Sequence, residues 1–140
     1  MQALFIDTIR AVCAKDYTEE QIEAWTASVS NIDRWEQKLA SQNFLVARLK
    51  EKIVGYASLE NNNYLDFLYV HKDHQRQGIA DFLYRRIENE ALSKKAPILL
   101  ADVSKTARPF FEKKGFNIVK SQVNIMGGIE IVNFRMMKAL

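Results

Sequence analysis

Apolar positions in the first third of the chain recur at helical spacing. Over residues 2–14 they fall at Phe5, Ile9, Val12 and Cys13, which share one helix face. Thr18-Glu19-Glu20-Gln21 has the capping-box pattern, a hydroxyl residue followed three positions later by Gln. It predicts a second helix with Ile22, Trp25 and Val29 turned inward. Ser30 or Asn31 would cap a short third helix holding Trp35 and Leu39. The period then changes. Residues 44–49 and 53–59 are rich in apolar, β-forming side chains and flank Lys50-Glu51-Lys52, which reads as a hairpin. The Asn61-Asn62-Asn63 cluster suits a turn, because Asn tolerates left-handed backbone angles. A third strand follows over 64–70.

Residues 77–94 predict a helix, with Ile79, Leu83, Ile87 and Ala91 repeating every four positions and Arg85, Glu88 and Lys95 off that stripe. Pro97 breaks it before a compact buried strand over 98–103. A short helix spans about residues 107–114, with Thr106 as its cap, Pro109 in the first turn and Gly115 just past the end. Two closing strands, about 116–126 and 129–138, flank Gly127-Gly128, a pair suited to the positive φ angles of a primed hairpin turn. The order ααα-βββ-α-β-α-ββ describes an α/β protein: a mixed sheet with helices on its faces.

Length sets the scale. The 140 residues predict one domain spanning 1–140. The hydrophobic fraction of 48% and charged fraction of 26% are those of a globular chain rather than a disordered one. The single cysteine, Cys13, excludes an internal disulfide and any CxxC site, and its helix position reads as core. No apolar run approaches the roughly 18 residues of a membrane span. The opening MQALFIDTIR lacks the basic-then-apolar layout of a signal peptide, so a cytoplasmic protein with no membrane contact is expected. The net charge is +3, but acids and bases alternate, as in Arg85-Arg86 followed by Glu88 and Glu90. That mixed surface argues against a nucleic-acid partner, while a mild positive excess suits a small anionic ligand. His71 and His74, with Asp73 between them, form a loop His-x-x-His without a third ligand, and no metal site is expected.

The stretch LDFLYVHKDHQRQGIADFLYRR, residues 65–86, carries the chemistry. A strand ends near Val70, a polar loop follows, and a helix opens around Gln77-Gly78. Helix N-termini leave backbone N–H groups unpaired, and a glycine there lets a diphosphate approach them. No Gly-Lys-Ser/Thr follows, so this is no P-loop; one glycine is too few for a dinucleotide fingerprint. Read at the second helical position, Gly78 would otherwise only cost the helix about 1 kcal/mol.

Gln75-Arg76-Gln77-Gly78-Ile79-Ala80 resembles the Gln/Arg-x-x-Gly-x-Gly/Ala signature of the GNAT superfamily, the acetyl-CoA-dependent N-acetyltransferases. LDFLYV resembles that family's fourth strand. VSKTARPFFEKKGF, residues 103–116, resembles its second cofactor motif, and the closing hairpin with NFRM at 133–136 suits small bacterial members. The resemblance covers about residues 44–138.

It implies a GNAT fold lacking the first strand, with acetyl-CoA as acyl donor and a small-molecule or peptide amine as acceptor. The backbone amides of Gln75, Arg76, Gln77, Gly78, Ile79 and Ala80 would hold the diphosphate. The edge of Leu68, Tyr69 and Val70 would pair with the pantetheine arm like an added strand. A backbone N–H near Val70 would support the thioester oxygen. Ser104, at a position where many members carry Asn, would face pantetheine or amine. Ala107 falls in the second cofactor motif, and Phe110 and Phe111 would wall the acyl tunnel. Tyr17 and Trp25 would line the substrate pocket, with Trp35 in the core. Asp66 is the first candidate for the base that takes the amine's proton, since a carboxylate on that strand needs a partner or solvent.

Two departures stand out. Phe111 occupies the position of the tyrosine that protonates the leaving thiolate in many relatives. Either the thiolate leaves unaided, its thiol pKa being about 8.5, or Tyr17, Tyr69 or Ser104 serves. That absence also leaves open a member that binds acyl-CoA without turnover; a small basic nucleic-acid- or protein-binding module is the rival of another class. Second, the chain begins almost inside its first helix. Either the strand at Phe44 is a sheet edge open to another chain, which makes a homodimer a reasonable expectation, or the coding frame starts upstream.

Overall fold

The computed structural model describes residues 2–27 and 32–140. Val29, Ser30 and Asn31, assigned roles above, lie outside the described residues. Three helices come first: α1 (Gln2–Val12), α2 (Glu19–Ala27) and α3 (Ile32–Ser41). β1 (Asn43–Leu49), β2 (Lys52–Glu60) and β3 (Tyr64–Val70) follow, then α4 (Ile79–Ser93), β4 (Ile98–Ser104), α5 (Arg108–Lys113), β5 (Asn117–Met126) and β6 (Ile129–Ala139). The predicted order is observed, with one added 3-10 turn at Lys72–His74 between β3 and α4.

Local chemistry accounts for most boundaries. The Thr18 N–H donates to Gln21 Oε1 at 2.9 Å and the Gln21 N–H to Thr18 Oγ1 at 3.1 Å, a reciprocal capping box. Leu83, Tyr84, Ile87 and Ala91 form the buried stripe of α4. Gly127 and Gly128 both take positive φ, 55° and 80°, in the β5–β6 turn. One cap differs from expectation. Ala107, not Thr106, precedes α5, and its N–H donates to Ser104 Oγ at 3.1 Å. Thr106 turns away and donates to Asp16 Oδ2 at 2.7 Å, ninety positions back in the chain.

The six strands lie in the order β1-β2-β3-β4-β6-β5. β1 is an edge strand, as expected of a sheet without a preceding strand. Every neighbouring pair is antiparallel except β3 and β4. That parallel pair is brief: only Tyr64↔Leu100 and Leu65↔Ala101 are in register. Beyond them β3 stays with β2 as far as Val70↔Gly55, and β4 stays with β6 as far as Ser104↔Asn133. The sheet therefore splits, and the gap widens toward the carboxyl ends of β3 and β4.

Two cores hold the halves. On one face Leu83, Tyr84, Ile87 and Ala91 of α4, with Phe111 and Phe116, pack on Ala57, Leu65, Leu99, Ala101, Val103 and Met136. α4 sits so close to β2 that a Cβ on Gly55 would lie 3.0 Å from Tyr69 O and 3.1 Å from Ile79 Cγ2. On the other face Phe5, Ile9, Cys13, Tyr17 and Trp35 close over Tyr56 and Phe67. Cys13 and Trp35 are buried there, as expected.

Tyr56 lies fully buried at the centre of that aromatic cluster, and its hydroxyl has no hydrogen-bond partner among the described residues. An unsatisfied buried hydroxyl costs about 1–3 kcal/mol. Tyr56→Phe is expected to raise stability by about 1 kcal/mol, read as a higher midpoint in thermal unfolding. A lower midpoint would mean that the hydroxyl is bonded.

Candidate active site

The split between β3 and β4 opens into a cavity of about 440 Å³ bounded by both sheet halves, α1–α3 and the starts of α4 and α5. Its β3 side is Asp66 to Val70 and its β4 side Asp102 to Ser104. At the carboxyl end of β3 the chain turns through Lys72–His74 into α4. Gln75 staples this loop by donating its side-chain amide to Val70 O at 2.6 Å. Gly78 caps α4 with φ 81°, a left-handed conformation that glycine adopts without strain. It is thus the N-cap rather than the second helical residue. The first bond of the helix runs from Phe82 N to Gly78 O, which leaves the amides of Ile79, Ala80 and Asp81 without helical acceptors. A Cβ at Gly78 would meet nothing within 4 Å, so the approach to those amides is open. Asp81, in this first turn, would repel an anion by itself, but Lys114 and Arg85 both pair with it. The Lys114 bond, despite some desolvation, holds the Asp81 carboxyl below its ordinary range.

The predicted residues fall into two groups. Asp66, Leu68, Tyr69, Val70, Gln75, Ala80, Ser104, Ala107, Phe110 and Phe111 line the cavity, as do Tyr17 and Trp25 on its helical side. Arg76, Gln77 and Gly78 are exposed on the loop outside that lining, and the Ile79 side chain packs toward the core. Arg76 also takes positive φ, 58°, an uncommon conformation for a side chain with a Cβ.

Several lining side chains are already committed. Tyr17 donates its hydroxyl to Val132 O at 2.7 Å and accepts from Lys105 N at 2.9 Å. Burial pushes its ionisation upward, as it does more strongly for Tyr69. Ser104 lines the cavity and accepts from Ala107 N, and among the described residues its hydroxyl has no hydrogen-bond acceptor. Thr8 on α1 donates to Val70 O at 3.0 Å.

At the closed end of the split stand two carboxylates, each one residue beyond the last paired level of its strand. Asp66 Oδ2 accepts from Lys38 Nζ and from Gln42 Nε2, both at 2.8 Å. Asp102 accepts from Tyr64 at 2.7 Å, from Gln122 at 2.9 Å, and from Arg135 through Nε and a terminal nitrogen at 2.9 and 3.0 Å. Burial pushes the Asp102 carboxyl up, but these bonds outweigh it and hold the group below its ordinary value. Lys38, Tyr64 and Asp102 line the cavity and were missed in the sequence. A carboxylate inside the apolar strand ILLADVS was the one available signal for Asp102.

The description of an acetyltransferase (GNAT) domain matches residues 13–138. The uncharacterized N-acetyltransferase YafP of Escherichia coli (strain K12) is 35% identical over 136 residues, covering 96% of this chain and 84% of YafP. The chain belongs to the GNAT acetyltransferase family. A GCN5-related N-acetyltransferase from Rhodopseudomonas palustris has the same GNAT fold with TM-score 0.95 and 33% identity, over 99% of this chain and 87% of that one. The PaiA N-acetyltransferase of Thermoplasma acidophilum, solved in complex with coenzyme A, matches with TM-score 0.80 and 19% identity over 99% of this chain and 90% of its own. Among the described residues of this GNAT chain no cluster of His, Cys, Asp or Glu is arranged to hold a metal, and no helix is long and apolar enough to cross a membrane.

Within this GNAT site, Asp102 supplies a pH test. Its carboxyl ionises more readily folded than unfolded. Its stabilisation is therefore full above the unfolded value, about pH 4, and fades as acid carries the pH down through the folded value. Asp102→Asn is expected to cost about 1–2 kcal/mol at pH 7, by weakening the hold on Arg135. The gap to the parent protein in denaturant titrations should close below about pH 4. A gap that is constant with pH would remove Asp102 as the centre of this network.

Proposed function

We propose that this GNAT protein transfers the acetyl group of acetyl-CoA to a primary amine by direct attack of the amine nitrogen on the thioester carbon. The observation that carries the reading is the split between β3 and β4 with the Gly78 loop at its open end. The split leaves the inner edge of Leu68 to Val70 without a strand partner, so an extended pantetheine arm has backbone groups to pair with. The open amides at the start of α4 suit a diphosphate. The Thermoplasma relative, which shares the fold along nearly the whole chain, was solved in complex with coenzyme A, which supports an acyl-CoA as the donor here.

In this reading the chain aligns donor and acceptor, and a backbone N–H on the inner edge of β3, between Asp66 and Val70, supports the carbonyl oxygen as it gains charge. The nitrogen forms its bond to carbon, the carbon–sulfur bond breaks, and the sulfur leaves as a thiolate. Phe111 is packed against Phe110 and Phe116 and has no proton to give. Tyr17 has both sides of its hydroxyl engaged. Ser104 donates a hydrogen bond to the departing thiolate and keeps its proton; the thiolate, whose thiol pKa is about 8.5, takes its proton from water.

Asp66 suits the role of base poorly, because accepting a proton would strip Lys38 of its counter-charge. We assign the amine's proton to water in the open cleft. Asp66 instead fixes the acceptor-side wall. The absence of an acid at Phe111 favours one second reading, an acyl-CoA binder without turnover.

Three measurements separate these. Acetyl-CoA at a hundred times its Kd should stabilise the protein by about 2.7 kcal/mol in thermal unfolding. Gly78→Glu, which places a strained, negative side chain before the open amides, should abolish that shift; an unchanged shift would mean the diphosphate site lies elsewhere.

Ser104→Ala should keep the shift and lower thiol release from an amine panel about tenfold. Across that panel, the rising limb of kcat/KM with pH should follow each acceptor's own pKa. A limb fixed while the acceptor changes would reveal a protein base, and no release with any amine would favour the silent binder.

A further inference from the structure

We propose that Lys38 is a built-in occupant of the acceptor site's cation seat, and that it restricts the enzyme to acceptors bearing a single amine. This rests on the acetyltransferase reading above. The seat has two parts. The Asp66 carboxylate lies 2.8 Å from Lys38 Nζ, and the Phe67 ring presents its face to the same ammonium at 4.9 Å from its centroid. A carboxylate beside an aromatic face is the pairing that recognises an organic ammonium. Gln42 Nε2 steadies the carboxylate from the far side at 2.8 Å, and its own carbonyl accepts from Ser58 at 2.7 Å. The Lys38 and Asp66 side chains are 24% and 15% exposed, so the pair faces the cavity rather than bulk solvent.

Position makes the seat relevant to the acceptor. Asp66 is the first β3 residue past the last paired level, and Val70, beside the Gly78 loop, is the last. Four residues of extended strand span about 13 Å. A donor entering from the loop end with its pantetheine along this edge points its acyl end toward Asp66. The other carboxylate at that level, Asp102, is saturated by Arg135, Tyr64 and Gln122. Both negative groups at the acceptor end are thus matched by cations of the chain itself. A polycationic acceptor gains no free counter-charge there. To use Asp66 its second ammonium must displace a tethered one, whose effective concentration is in the millimolar range.

The test compares the parent protein with Lys38→Ala, which removes charge and bulk, and Lys38→Met, which removes charge but keeps bulk. The probe is 1,5-diaminopentane, whose ammonium-bearing chain resembles the lysine side chain, with butylamine as the single-amine control. In thermal unfolding with coenzyme A present, the diamine should bind Lys38→Ala about tenfold more tightly than it binds the parent or Lys38→Met. Butylamine can fill the vacated seat but cannot then also present an amine to the thioester, so in thiol release Lys38→Ala should raise kcat/KM for the diamine and not for butylamine. Equal diamine binding to the parent and Lys38→Ala, or binding to neither, would overturn the proposal. Should Lys38→Ala fail to unfold cooperatively, the parent's kcat/KM decides. Preference for butylamine over the diamine supports the seat being filled, and preference for the diamine refutes it. An absent acetyl-CoA shift in the parent would sink the acetyltransferase reading separately, leaving the diamine comparison to stand or fall alone.

Discussion

Two residue pairs hold the middle of this sheet together. Everything else in the site follows from how short the β3–β4 ladder is. Each strand spends the rest of its length with its antiparallel neighbour, so the halves are separately well bonded and the split between them costs no orphaned strand. The two faces carry their own cores, and neither depends on the missing parallel pairs. A longer ladder would satisfy more backbone groups within the chain and leave no edge for an extended ligand. The protein leaves five β3 residues and three β4 residues facing a gap, and the helices on both faces keep that gap from closing.

Charge is distributed around the gap with opposite logic at its two ends. At the Gly78 end the helix amides are left open, and the carboxylate of that first turn, Asp81, is paired with Lys114 and Arg85. That end favours an anion. At the Asp66 end both carboxylates are buried enough to need partners, and the chain supplies them. For the Lys38–Asp66 pair desolvation offsets much of the attraction, so its net contribution to stability is small. Its value lies in fixing which charges remain for a ligand to find.

Local signals in the sequence were enough for the elements and their order. The Thr18–Gln21 box, the four-residue stripe of α4 and the Gly127-Gly128 turn each act within a few residues, so spacing alone reveals them. The Gly78 loop was legible for the same reason. The Asp66 end was not. Lys38 and Asp66 are 28 positions apart, Asp102 and Arg135 are 33 apart, and Thr106 finds Asp16 rather than capping the helix beside it. Nothing in a mixed surface of lysines and aspartates marks which of them will meet. Asp66 was visible as a carboxylate on an apolar strand, but its partner was not, and the partner changes what the carboxylate can do.

The first helix and the turn after it touch both halves of the divided sheet. Thr8 bonds to the tip of β3, while Asp16 and Tyr17 bond to the segment leaving β4 and to β6. The ten residues from Thr8 to Tyr17, the first five of them helix, thus act as a crossbeam between two leaves that α4 and its core also join on the opposite face. The span of that beam sets the gauge of the slot. Adding or removing a residue between Thr8 and Asp16 would reset the width available to a guest and turn Val12 and Cys13, which line the slot.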